Sequence, residues 1–140
     1  MLVRLVYASR AVGPIDRKML DTILEQSRPA NEEAGITGML CACEDSNTFL
    51  QALEGGRTQV NALYEHIVCD ERHEAVTLLA YDEIEERRFA NWRMGRVDLS
   101  RVNPGQILRH AEHAALDPMT LSARQATALL VDFAETLAGG

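Results

Sequence analysis

Residues 2–8 are an apolar run broken by Arg4, and a period of two places Val3, Leu5 and Tyr7 on one face of a predicted first strand. Gly13-Pro14 breaks that pattern. Ile15, Met19, Leu20, Ile23 and Leu24 then recur at helical spacing, with Asp16 near the start. Pro29 is expected to end this helix, because it has no N–H for the carbonyl four residues back. Residues 35–44 predict a second strand, Asp45-Ser46-Asn47 a turn, and residues 48–54 a third strand. Phe49, Gln51 and Leu53 share one face of the third strand, and Leu50 and Ala52 the other. Both faces are apolar around Gln51, so layers are expected on both sides of the sheet.

Gly55-Gly56 closes the third strand and opens a helix whose inner stripe is Val60, Leu63, Tyr64, Ile67 and Val68. Residues 76–82 predict a fourth strand and residues 92–97 a fifth. The order β-α-β-β-α-β-β predicts an α+β fold: a ferredoxin-like, five-stranded mixed sheet with both helices on one face. Pro104 starts a short helix, which Asp117-Pro118 breaks. Ser122 and Gln125 form a capping box for a last helix, with Ala126, Leu129, Leu130, Phe133 and Leu137 as its stripe. These C-terminal helices are expected to cover the sheet's other face. The chain thus divides into a core over residues 1–97 and a helical cap over residues 98–140.

At 140 residues the chain is long enough for one domain with a real core. Its net charge of −7 disfavours nonspecific binding to nucleic acid, which needs concentrated Lys and Arg. No stretch approaches the ~20 apolar residues of a membrane span. The start of the chain lacks a secretory pattern, and the 3 cysteines are an odd number. A cytoplasmic protein is therefore expected.

Chemistry concentrates at a few polar side chains in apolar surroundings. An unpaired carboxamide in a core costs about 1–3 kcal/mol, so Gln51 requires a polar partner. Tyr7 ends the apolar run of the first strand, which a split βαβ unit sets beside the third. Asn31 follows the first helix, with an amide able to meet a ligand's carbonyl and ring-nitrogen edge. His66 and Asp70 lie four apart on one face of the second helix. Together these residues predict an apolar pocket between two helices with a few directional polar groups.

The resemblance then becomes specific. Leu5-Val6-Tyr7-Ala8-Ser9 is followed by Asn31, by Gly35-Ile36-Thr37-Gly38-Met39-Leu40 and by Phe49-Leu50-Gln51-Ala52-Leu53-Glu54-Gly55. Val60 to Tyr64, Asp70-Glu71-Arg72-His73 and Arg88-Phe89-Ala90-Asn91-Trp92-Arg93-Met94-Gly95 complete the series. From Leu2 to about Gly95 the chain resembles the BLUF family, the sensors of blue light using FAD. The resemblance implies a blue-light photoreceptor that binds FAD noncovalently, with FMN or riboflavin as possible substitutes.

Matched position by position, Tyr7 corresponds to the photoactive tyrosine and Gln51 to the switching glutamine. Asn31 corresponds to the asparagine at the flavin ring edge and Ile23 to a side chain packed on the isoalloxazine. Leu40 and Phe49 fall on strands lining the flavin, His66 where the family has a basic residue, and Asp70 at a nearby acid. Trp92 and Met94 correspond to a fifth-strand pair that relays the signal. Ala30 departs from the pattern, since several members carry a hydrogen-bonding residue beside the asparagine. The implied partners are the flavin, a separate downstream signalling protein and further copies of the chain. Nucleic acid, membrane and catalytic activity are not expected.

Plainer readings stand beside these. His66, Asp70 and His73 could ligate a metal, but a solvated helix end with a charge pair is the favoured reading. Cys41 and Cys43 share a strand face and read as buried thiols, and Cys69 as structural. Residues 83–88 read as a solvated charged loop. Two rival functions are a light-insensitive module that keeps the flavin fold and a small enzyme using Tyr7 and His66 as acid and base.

Overall fold

A computed structural model describes residues 1–139 of the chain, with side chains to residue 137. The strands are β1 (Leu2–Ala11), β2 (Thr37–Cys43), β3 (Thr48–Gly56), β4 (His73–Ile84) and β5 (Gly95–Val97). The helices are α1 (Arg17–Ala34), α2 (Arg57–Val68), α3 (Pro104–Leu108) and α4 (Ala123–Gly139). The sheet order is β4-β1-β3-β2-β5, antiparallel throughout except where β5 joins β2 in parallel. This is the ferredoxin-like arrangement the sequence predicts, with one strand added.

The sheet divides the core into two layers. Leu5, Tyr7, Leu40, Phe49 and Leu53 pack under α1 and α2 with Leu20, Ile23, Leu24, Val60 and Ile67. Val6, Ala8, Met39, Cys41, Leu50 and Ala52 pack against Ala126, Leu129, Leu130 and Phe133 of α4. The strands alternate between the layers because successive side chains point to opposite faces. Ser122 and Gln125 close the predicted capping box reciprocally, at 3.1 and 2.9 Å.

The helix α1 corrects one expectation. It runs through Pro29 to Ala34 rather than stopping there, so Asn31 lies in its last turns and not beyond it. An internal proline costs a helix roughly 3 kcal/mol. Here tertiary contacts from the residues after it offset that cost. Asn31 is buried and bonded to a distant backbone carbonyl, and Gly35 ends the helix at φ 71°. From this left-handed turn the Ile36 N–H returns to the Asn31 carbonyl at 2.8 Å.

Other boundaries shift for related reasons. β4 extends to His73–Ile84 because β1 pairs along nearly all of it, past two register shifts. β5 is only Gly95–Val97, so Trp92 and Met94 precede the strand instead of lying on it. Val68, expected on the inner stripe of α2, is exposed at the helix end, and Leu137 is also exposed. Among the described residues no helix is long and apolar enough to cross a membrane.

Candidate functional site

The pairing of β1 with β3 sets Tyr7 opposite Gln51, so both side chains enter the layer beneath α1 and α2. There the Tyr7 phenol donates to Gln51 Oε1, which answers the question of the buried carboxamide's partner. Gln51 Nε2 in turn donates to Met94 Sδ at 3.1 Å. Burial, reinforced by Tyr64 and Asp70, pushes the Tyr7 phenol well above the usual tyrosine range. Tyr7 therefore stays protonated and acts as a donor.

These two residues form the floor of a cleft between α1 and α2, with about 740 Å³ of space including its open mouth. Ile23, Leu40, Phe49, Leu63 and Ile67 supply apolar walls. Asn31 brings an amide whose Nδ2 donates to the Arg93 carbonyl at 3.0 Å. His66 lies in the last turn of α2, but the helix ends at Val68, so Asp70 stands just past it and not on the helix face that the four-residue spacing predicts; both still border the cleft. Tyr7, Ile23, Asn31, Leu40, Phe49, Gln51, His66 and Asp70, the residues that the family resemblance implies for ligand binding, all border one cleft.

The rim is electrostatically set. The Arg72 guanidinium grips both oxygens of Asp70, at 2.6 to 3.1 Å, and holds its carboxyl down at about pKa 2. Burial pushes His73 below the usual histidine range, against the opposing pull of Asp70. Its Nδ1 meets the buried Ser9 hydroxyl at 2.8 Å, and its ring meets Phe49 edge-on at 5.2 Å. Asp70 is thereby committed to Arg72, and no group of three or more potential metal-binding side chains gathers among the described residues.

Trp92 and Met94 separate across the sheet. Met94 is buried in the layer of the cleft, whereas the partly buried Trp92 packs against the layer beneath α4. Gly38 holds the intervening backbone, its N–H donating to the Trp92 carbonyl at 2.9 Å. A Cβ on Gly38 would lie 2.1 Å from the Ala52 carbonyl oxygen, so this approach requires glycine.

Sequence reasoning missed Gln26, Ser27 and Arg72 on the cleft wall. Gln26 and Ser27 follow Ile23 at helical spacing, but polar side chains on a helix read from sequence as a solvated face. Ala30 brings no hydrogen-bonding group to this wall. The Ser27 hydroxyl turns back to the Ile23 carbonyl at 2.6 Å.

Residues 2–95 match the family described as BLUF, sensors of blue-light using FAD. The photoactivated adenylate cyclase subunit alpha of Euglena gracilis is 36% identical over 90 residues, covering 64% of this chain and 9% of that protein. The chain thus spans about a tenth of the length of such cyclase subunits. A solved structure of BlsA in its photo-activated state aligns with a TM-score of 0.82 at 30% identity, covering 96% of this chain and 95% of that one. BlrB, a BLUF protein solved in its dark state, aligns with a TM-score of 0.73 at 29% identity, covering 96% of each chain.

Proposed function

The chain belongs to the BLUF family of blue-light flavin sensors, and we propose that it is a photoreceptor in which Tyr7 and Gln51 form the light-driven switch. The observation that carries this reading is the buried chain of hydrogen bonds from the Tyr7 phenol through the Gln51 carboxamide to Met94 Sδ. The cleft fits a flavin by its chemistry: apolar walls for a flat ring, with carboxamides and a phenol for its carbonyl and ring-nitrogen edge. FAD is the proposed flavin.

When bound, the flavin supplies blue-light absorption and a strong excited-state oxidant. With a flavin bound, Tyr7 would be its electron donor, and the phenolic proton would move along the existing hydrogen bond toward Gln51 Oε1. Its high pKa keeps that proton in place until the electron leaves. Gln51 would then rotate or change tautomer, exchanging the donor and acceptor it presents to Tyr7 and Met94. Asn31 anchors the ring edge, and Ile23, Leu40 and Phe49 exclude water. No bond to the protein forms.

The changed carboxamide no longer offers the same donor to Met94, and the Trp92–Met94 segment carries that change toward α4. Output in this reading passes through residues 98–140 to a separate signalling protein, and the chain itself is not an enzyme. BlsA and BlrB each align over 96% of this chain, so the likeness reaches past residue 97 into the helical segment that would carry the output.

The test is the visible spectrum of the purified protein, reconstituted with FAD, in darkness and after blue light. A flavin spectrum that shifts to the red and relaxes in darkness is expected. A bound flavin whose spectrum does not shift would overturn the switch.

A further inference from the structure

The backbone from Trp92 to Met94 is held at three consecutive carbonyls by donors from two other elements. Trp92 O accepts from the Gly38 N–H of β2 at 2.9 Å, and Arg93 O from Asn31 Nδ2 of α1 at 3.0 Å. Met94 O accepts from Arg28 twice, through Nε at 3.2 Å and Nη2 at 3.1 Å. Of these anchors Arg28 alone is charged; the residue is exposed, but both bonds are partly buried and its planar fork spends two donors on one oxygen. The further Arg93–Glu32 pair has both side chains more than half exposed and adds little.

Met94 is therefore gripped at both ends: its sulfur by Gln51 and its carbonyl by Arg28. Arg28 does not border the cleft, although Ser27, Ala30 and Asn31 around it do. Resting on the reading of Gln51 as the switching group, we infer that Arg28 is the latch for the Trp92–Met94 segment. Once the Gln51 amide turns, the sulfur contact is gone and the backbone anchors alone retain the segment. The guanidinium then limits how far the segment departs and returns Met94 to the place where Gln51 can bond it again. Arg28 acts on the switch through Met94 and is a positioning residue, with no contact to the ligand.

The extension of α1 through Pro29 is part of this device. The same helix lines the cleft with Ile23, Ser27 and Asn31 and grips the segment with Arg28 and Asn31. One rigid element thus sets the distance between the ligand wall and the segment that must move.

Arg28→Met keeps an unbranched stem that suits a helix and removes the donors; Arg28→Lys keeps the charge and loses the fork. Trp92 is the one tryptophan of the chain, so its emission reports on the segment. In the flavin-free protein, Arg28→Met is expected to raise acrylamide quenching of Trp92. In the FAD-loaded protein it should leave the light-induced red shift unchanged and slow dark recovery at least threefold, with Arg28→Lys lying between. Wild-type quenching and recovery in Arg28→Met, with the red shift present, would overturn the latch. Absence of the red shift in the wild type would instead overturn the reading of Gln51, and the quenching measurement would still decide whether Arg28 restrains the segment. Should Arg28→Met fail to fold, Arg28→Lys decides by the same measures: slowed recovery supports the latch and unchanged recovery overturns it.

Discussion

Gln51 donates its amide to Met94 Sδ at 3.1 Å from a strand that Met94 does not belong to. The bond joins the buried Tyr7–Gln51 pair to a segment outside the regular sheet, and a thioether is a weak acceptor. A reorienting carboxamide can therefore give it up cheaply. Met94→Leu removes the acceptor at nearly constant volume, and should cost less than about 1.5 kcal/mol in unfolding free energy. Loss of a contact worth about 1 kcal/mol should change dark recovery by up to about fivefold. Both numbers come from urea unfolding and a recovery trace of the same variant.

Gln51→Leu removes both the acceptor for Tyr7 and the donor for Met94. The variant is expected to bind flavin and show no red shift, as is Tyr7→Phe, which keeps the ring and deletes the proton. A normal light-minus-dark difference spectrum in Gln51→Leu would end the switch proposal.

Glu54 is fully buried and accepts from Arg4 at 2.8 Å and from the backbone N–H groups of Arg88 and Phe89 at 3.1 and 2.7 Å. It pins the start of the stretch that leads to Trp92. Glu54→Ala leaves Arg4 nearly buried without its partner, which typically costs about 3–5 kcal/mol. A urea denaturation midpoint scarcely changed from the wild type would contradict this account of the carboxylate.

Gly38→Ala sets a methyl group against the Ala52 carbonyl and 3.1 Å from Met94 Cε. β2 and β3 must part locally, at a cost of roughly 1–3 kcal/mol. The same variant should raise the accessibility of Trp92, because the Gly38 N–H holds its carbonyl. Thermal unfolding and acrylamide quenching measure the two effects.

Stability should rise with pH in two separate windows. His73 has a folded pKa below its unfolded value of about 6.5, so the unfolded chain binds the proton first and stability falls as pH drops through that value. Asp70, at about 2, contributes stability above its unfolded pKa, and this is lost as pH falls from about 4 toward 2. Arg72→Ala removes the main cause of the Asp70 shift and should flatten the lower limb. Unfolding free energy measured from pH 8 to 3 in both proteins tests the assignment.

The period-two and helical patterns determined the layered fold, because burial on two faces of Phe49–Leu53 leaves few arrangements other than helices on both sides. Tyr7 and Gln51 are legible as candidates because polar groups in apolar runs need partners, whereas Asn31 stands among polar residues and is legible only through the family resemblance. Pro29 misled, since its local cost argues for a helix end while the contacts that offset that cost come from residues more than sixty positions away. Trp92 and Met94 read as strand from sequence for a similar reason, although β5 begins only at Gly95. Their backbone is held by Gly38, Asn31 and Arg28, partners that periodicity does not reveal. What only the tertiary structure decided is which groups meet: Gln51 with Met94, Asp70 with Arg72, and Arg28 with the Met94 carbonyl. A sequence pattern records which face a side chain occupies, whereas a hydrogen bond depends on ångström-scale placement set by the packed whole.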